Sequence, residues 1–320
     1  MTYTTPPQTP HDISAAEHAS TAELLAAADD LEGLSEKPKS FGRLAWERFI
    51  HHKLALFGLF GLILIALAFF IGPSFSEFDA ATPDVLNRRS GPTMDHWFGT
   101  DEIGRDLFVR TAEGGRYSLQ IGLLTAVLST VFGTVMGATA AYYGKAVDQL
   151  ISQVMNLLLV VPALVVLAVF ALKFGSTWWR LSLVLAALGW VRISRVVRGV
   201  VMSLKEQEFV MAARAAGASH ARIIFRHILP NVVGVVAVEI TLLLGATIVL
   251  ESTLSFLGLG VKPPATSLGQ LVADAKGSID DDPIRVLTPG IMIVLIVLCV
   301  NFLGDGLRDA LDPRSKVERG

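Results

Sequence analysis

Four stretches of this chain run without a charged residue for far longer than an ordinary core helix: 54–71, 118–143, 149–172 and 286–304, of 18, 26, 24 and 19 residues. A helix rises 1.5 Å per residue, so each crosses or nearly crosses a hydrocarbon core about 30 Å thick. In such a core every backbone polar group must be satisfied internally, which leaves helices as the reading for runs of this length. Composition agrees, with 52% hydrophobic and 18% charged side chains against a soluble norm of about 45–50% and about 25%. Two further stretches are less clean: 178–197, opened by Trp178, Trp179 and Arg180, and 231–257, which carries Glu239 and Glu251. The expectation is an all-α membrane protein with six transmembrane helices near 54–72, 118–143, 149–172, 178–197, 231–257 and 286–304.

Basic residues orient the spans. With the amino terminus in the cytoplasm, 17 Lys and Arg fall on inside segments and 10 outside, a bias that favours cytoplasmic N- and C-termini. Arg192, Arg195 and Arg198 mark a helix leaving the membrane on that side. Residues 1–40 are rich in Pro, Ala, Ser and acids and lack a sustained apolar period. They are expected to form a disordered cytoplasmic tail, with room for a short helix over 14–31. A basic amphipathic segment at 41–53 precedes the first span at 54–72. An extracytoplasmic segment at 73–117, a five-helix core at 118–304 enclosing a cytoplasmic loop at 203–230, and a tail at 305–320 complete the division. The first apolar run ends at Gly72-Pro73 without a small-residue cleavage pattern, so it reads as a retained span.

The residues exclude several chemistries. With 27 basic and 29 acidic side chains there is no nucleic-acid footprint. Cys299 is the only cysteine, which rules out an intrachain disulfide and leaves Cys/His metal clusters without ligands; it reads as a small apolar core residue. Asp95, His96 and Asp101 are better explained as solvated caps than as metal ligands. No phosphate-binding loop, nucleophile elbow or metalloprotease helix is present, so this chain does not hydrolyse ATP by itself and binds no cofactor of its own.

Three segments carry more specific information. The loop Lys205–Pro230 reads as two short helices joined at Gly217, a natural C-cap, with Ser219 capping the second and Pro230 opening the next span. Its alanines, among them Ala212 and Ala213, either pack on the protein's own span ends or leave room for a partner's groove. The loop resembles the Glu-Ala-Ala loop of ATP-binding-cassette importer permeases: Ala212, Ala213, Gly217, Leu229 and Pro230 match at the family's spacing, and His227 stands where Ile is usual. Met211 stands where that family has Glu, removing one polar contact, although Glu206 and Glu208 lie a turn away. The second segment, WFGTDEIGRD over 97–106, offers Thr100 or Asp101 as a helix cap and an Asp101–Arg105 pair at (i, i+4) spacing. Its residues Gly99, Thr100, Asp101, Gly104, Arg105 and Asp106 resemble the signature of the dipeptide, oligopeptide and nickel subgroup of those permeases. The third, 250–264 with 301–314, is similar to the same subgroup. The resemblance runs from about Phe41 to Arg314, with Met211, Leu268 and the acidic run Asp280-Asp281-Asp282 standing apart.

That resemblance implies a type I importer permease fold with a cytoplasmic coupling helix, in a bacterial inner membrane. It further implies a homologous second permease, two ATPases carrying ATP and Mg, an extracytoplasmic solute-binding protein, and peptides as cargo. Ser129, Gly133, Gly137 and Ala141 recur every four residues and permit close helix approach within the subunit or on a partner. Pro162 is expected to kink the third span. Glu239 lies deep in its span and Glu251 near the outer surface; for each, a hydrogen bond to a neighbouring helix and contact with cargo in the pathway both fit. The competing function is a transporter or channel driven by an ion gradient, with Glu239 as relay, which no inverted repeat supports.

Overall fold

The computed structural model describes residues 41–174, 177–263 and 265–312. The expected disordered tail at 1–40, its short helix, and the end of the C-terminal tail lie outside them. The chain divides into two units, 1–47 and 48–320. Helix α1 (Phe41–His51) starts in the first, where Arg43 and Glu47 pair at 3.3 Å one helical turn apart.

The second unit is helical. Helix α2 (Lys53–Ile71) starts at His52, whose Nδ1 accepts from the Ala55 amide at 3.1 Å. After an irregular segment, α3 (Leu107–Tyr143) begins well before the charge-free run that marks it in sequence. Asp106 sets that start by accepting from the Val109 amide at 2.8 Å. Arg110, Glu113 and Arg116 in the first turns suit a helix but interrupt its hydropathy. At 37 residues α3 is about 55 Å long.

Helix α4 (Lys145–Val160) and α5 (Ala163–Phe174) are the expected kinked span, bent by 80°. Pro162 forces Val161 out of the helical region, to φ −82° and ψ 124°. Helix α6 (Trp178–Leu204) is followed by the short α7 (Glu208–Ala215) and then by a continuous helical stretch over His220–Phe256. That stretch passes through a π segment, Ile223–Ile228, into α8 (Leu229–Phe256). Pro230 stands in the first turn of α8, as expected of a residue that opens the span, while the helical path continues into it from the π segment. Helix α9 (Leu268–Ala275) folds back, and α10 (Ile284–Leu311) closes the unit.

Four of these helices are long and apolar enough to cross a membrane, and the bent α4–α5 pair makes a fifth among the described residues. The count of six rests on α6, which has the length but carries Arg180, Arg192, Arg195 and Arg198. Arg192 is matched by Glu239 at 3.2 Å, Arg195 by Asn156 at 2.8 Å, and Arg198 by both oxygens of Asp148 at 2.5 and 2.6 Å, while the Arg180 guanidinium lies over the Trp179 ring. Pairing of this kind is how a span tolerates charge.

The small-residue stripe of α3 meets α6 of the same chain. A Cβ on Gly137 would lie 2.4 Å from the Ser194 carbonyl oxygen, and one on Gly133 would lie 2.7 Å from that of Trp190. Ser129 donates to the Ala186 carbonyl and Thr125 to that of Ser182, each at 3.3 Å. On the other side α2 seats on α10, where Gly58 leaves room for the Cys299 carbonyl and Cys299 is buried. Gly137→Ala is expected to cost about 1–3 kcal/mol through overpacking against fixed backbone. Gly199→Ala, with nothing within 4 Å, should be neutral or stabilise by up to about 1 kcal/mol. Thermal unfolding of the isolated subunit compares the two, and equal melting temperatures would contradict the seam.

Candidate functional site

The motif-bearing segments lie at opposite ends of α3. At its start, residues 84–106 form a compact, mostly irregular turn region, with a 3₁₀ turn at Val85–Asn87, rather than the short helix expected from Thr100 or Asp101. Gly99 and Gly104 have φ of +78° and +91°, which breaks any helix there. The space is also closed, since a Cβ on Gly104 would lie 1.7 Å from the Asp84 carbonyl oxygen. Thr100 is fully buried, donates to the Asn87 carbonyl and accepts from the Ser90 amide at 3.0 Å. Its backbone bridges to Asp106.

Asp101 is the hub of the turn. One oxygen accepts from the amides of Ile103 and Arg105 at 3.0 and 2.9 Å; the other accepts from Arg105 Nε at 2.7 Å and Arg110 Nη1 at 2.6 Å. The (i, i+4) pair read from sequence is therefore present, but inside a network. Burial pushes the Asp101 carboxyl up, while the Arg105 and Ile103 hydrogen bonds and the Arg110 charge outweigh it and hold the group below the usual carboxylate range. Asp106, besides capping α3, lies 2.9 Å from His96 Nδ1. Of the three residues expected to be solvated caps only Asp95 is exposed; His96 and Asp101 are buried and turn to different partners, Asp106 and the two arginines.

At the far end Tyr142 Oη meets His220 Nδ1 at 2.8 Å, fastening the hairpin of α7 to the end of α3. Gly217, at φ +79°, closes α7: its amide donates to the Arg214 carbonyl and the Ala218 amide to that of Ala213, both at 3.0 Å, a Schellman motif. Ser219 then caps the second arm through the Arg222 amide. Val210, Ile223 and Ile228 are fully buried beneath the hairpin. The outward face carries Ala212, Gly217, Met211 and Phe209, the last two 49% and 43% exposed. Ala213 is half-buried. His227, Leu229 and Pro230 lie on the following helical stretch, with the His227 carbonyl accepting from Asn231 Nδ2 at 2.6 Å.

Phe225, 71% exposed on the second arm, and the Tyr142–His220 bond were not found by sequence reasoning. The exposed aromatic in a basic helical stretch was a usable signal; the cross-helix bond had none. Glu239 is mostly enclosed and pairs with Arg192, whose side chain is 55% exposed. Glu251 lies in the last turns of α8 as expected, but it is fully buried rather than open to a surface. Ser118 and Ser255 donate to it at 3.1 and 2.6 Å, and Ser118 also accepts from the Leu268 amide at 3.2 Å. The fold-back of α9, invisible to a depth estimate along one helix, covers it.

The turn's acid sensitivity follows from Asp101. A carboxyl held low in the folded state stabilises above its unfolded value, about pH 3.9, and that contribution is lost as pH falls through the folded value. Hydrogen-exchange protection over 84–110 should therefore decline below about pH 4 in the wild type. Asp101→Asn should lower it by about 2 kcal/mol at pH 7 and flatten the pH response; a wild-type-like profile in that variant would refute the network.

Comparison with known proteins shows the family to which the chain belongs. Residues 104–317 match the family described as binding-protein-dependent transport system inner membrane component. Residues 40–92 match the N-terminal TM domain of oligopeptide transport permease C. The chain is 38% identical over 289 residues to the oligopeptide transport system permease protein OppC of Bacillus subtilis (strain 168), covering 90% of this chain and 95% of that protein. With OppC of Escherichia coli (strain K12) identity is 39% over 295 residues, covering 90% and 98%. With the dipeptide transport system permease protein DppC of Alkalihalophilus pseudofirmus it is 39% over 274 residues, covering 86% and 90%. A chain of the MetNI methionine ABC transporter in an inward-facing conformation shares the fold, with a TM-score of 0.53 at 18% identity over 63% of this chain and 96% of that one. The chain belongs to the family of binding-protein-dependent transport system inner membrane components.

Proposed function

We propose that this chain is one of two permease subunits of an ATP-driven importer of di- or oligopeptides. In this reading a homologous second permease completes the translocation pathway. Two cytoplasmic ATPases hold ATP and Mg, and an extracytoplasmic binding protein delivers cargo. The observation that carries it is the α7 hairpin: a helix rooted by buried Val210, closed by a Schellman motif, and presenting an outward face of small and apolar side chains. Such a face accepts a groove, and its rigid tie to α3 through Tyr142 and His220 suits it to receive a push. The ATPases would drive that push, and the spans would rock between inward- and outward-facing states.

The charge bias supports cytoplasmic N- and C-termini in a bacterial inner membrane, with the hairpin inside and the 84–106 turn outside. As a permease the chain is a transport component and not an enzyme. The Glu239–Arg192 pair is the pathway candidate, because Arg192 is more than half exposed and an exposed arginine on a membrane helix is expected to face water or a partner rather than lipid. Glu251, closed in by serines, is the weaker one. An ion-gradient mechanism would make Glu239 a proton relay, whereas its ion pair with Arg192 suits a fixed charge.

In proteoliposomes with the partner subunits, Ala212→Trp should abolish ATP-dependent uptake and ATPase capture while leaving folding intact. Normal uptake in that variant would sink the importer reading. Met211→Glu should assemble normally and change coupled ATPase activity by less than about 5-fold, the scale of one exposed polar contact; loss of assembly would show that Met211 seats in an apolar groove. Glu239→Gln should assemble normally but reduce uptake if the pair lines the pathway, and unchanged uptake assigns it a structural role.

A further inference from the structure

The second arm of the hairpin presents a basic, aromatic face outside the surface described for α7. Along the π segment Ile223 and Ile228 stand five residues apart, and both are fully buried. An α-helix would turn residues at that spacing to different faces, whereas i→i+5 bonding brings them together. Phe225 and Arg226, midway between them, are thereby turned outward, with Phe225 71% exposed; Arg222, one turn earlier, is exposed as well. The Arg222 and Arg226 side chains have no ion pair or hydrogen bond among the described residues. No acidic residue occurs from Phe209 to Val238 to offset them, and Arg214 adds a third exposed charge.

We infer that this face seats on anionic lipid headgroups, with Arg222 and Arg226 on the phosphates and the Phe225 ring reaching the upper acyl chains. Depth selects lipid over a soluble partner. The arm continues without a break into α8, so distances along one helix apply. From Leu229 to Leu250 the only charge is Glu239, and that length of about 33 Å matches the hydrocarbon core. Arg226, Phe225 and Arg222 precede Leu229 by about 4.5, 6 and 10 Å, and the headgroup layer is about 5–8 Å deep. The long Arg222 side chain covers the remainder. Aromatic and basic side chains are the usual anchors at this level. Charge selects an anionic headgroup over a zwitterionic one, because the arm offers cations and no acid, and an anionic leaflet attracts each of them. The α7 face lies before the chain reversal at Gly217, so it stays free for another partner. The inference rests on the chain being a membrane protein and not on the importer reading.

The test places Phe225→Trp, a conservative change at an exposed position, in the full chain in nanodiscs of equal parts phosphatidylglycerol and phosphatidylcholine. In one preparation the anionic lipid carries acyl chains brominated near the headgroup, and in the other the zwitterionic lipid does. Fluorescence of the unsubstituted chain, which has five tryptophans, is subtracted. The added indole should be quenched at least about 2-fold more by the anionic lipid, within the roughly 5-fold enrichment that one arginine near a charged surface supports. Arg222→Gln combined with Arg226→Gln should abolish the preference, and salt at about 1 M, where the screening length falls to about 3 Å, should weaken it. Equal quenching by the two lipids overturns the headgroup assignment, and no quenching by either overturns the inference by placing the arm outside the bilayer. The measurement is repeated in the assembled transporter, where loss of the preference would show that a protein partner covers the arm and would equally overturn it. Uptake is read from the same preparation, so failure of the importer reading is seen separately from failure of the lipid contact.

Discussion

The backbone-to-backbone approach of α3 and α6 at Gly133 and Gly137 is the contact on which the arrangement depends. Lipid offers no hydrophobic drive to bring two apolar helices together, so association rests on close fit and hydrogen bonding. Here the fit leaves no space for a Cβ, and Ser129 and Thr125 add hydrogen bonds to opposing carbonyls. Fixing α6 on α3 also positions the paired arginines of α6. It makes α3 a rigid member about 55 Å long with the 84–106 turn at one end and the α7 hairpin at the other.

Both ends are built by the same logic, a glycine at positive φ followed by a capped helix. At one end Gly104 and Asp106 launch α3; at the other Gly217 and Ser219 launch the second arm of the hairpin. The difference lies in what each leaves exposed. The turn buries its charges in mutual pairing, with Asp101 serving Arg105 and Arg110. The hairpin buries its apolar residues and presents small ones. One is a fixed polar knot, and the other leaves small and apolar side chains open.

Charge within the helical layer follows a single rule with two outcomes. Arg198 and Asp148 satisfy one another in a bidentate pair, and Glu251 is satisfied by serines from its surroundings. Arg192 and Glu239 are paired but partly exposed, and Arg285 keeps a donor without a partner. Fully satisfied groups hold helices together.

Much of this was legible in the residues. Charge-free runs fixed the apolar helices because their length is a local property, Pro162 announced the 80° bend, and Gly217 and Ser219 announced the hairpin through backbone preferences that operate over a few residues. The candidate site was legible only as a set of motif residues. The turn's glycines were visible while its fold was not, because Asp101 gains its role from Arg110 on the next element. Glu251 illustrates the same limit: its position along α8 is a matter of counting, but its burial depends on α9 folding back and on Ser118 from a distant helix. The sequence by itself determined the apolar helices, the break at Pro162 and the hairpin caps at Gly217 and Ser219, since hydropathy, helix period and φ preference are set by neighbours in the chain. Only the tertiary structure decided which small residues meet and which charges are paired, because those outcomes depend on contacts between residues far apart in sequence.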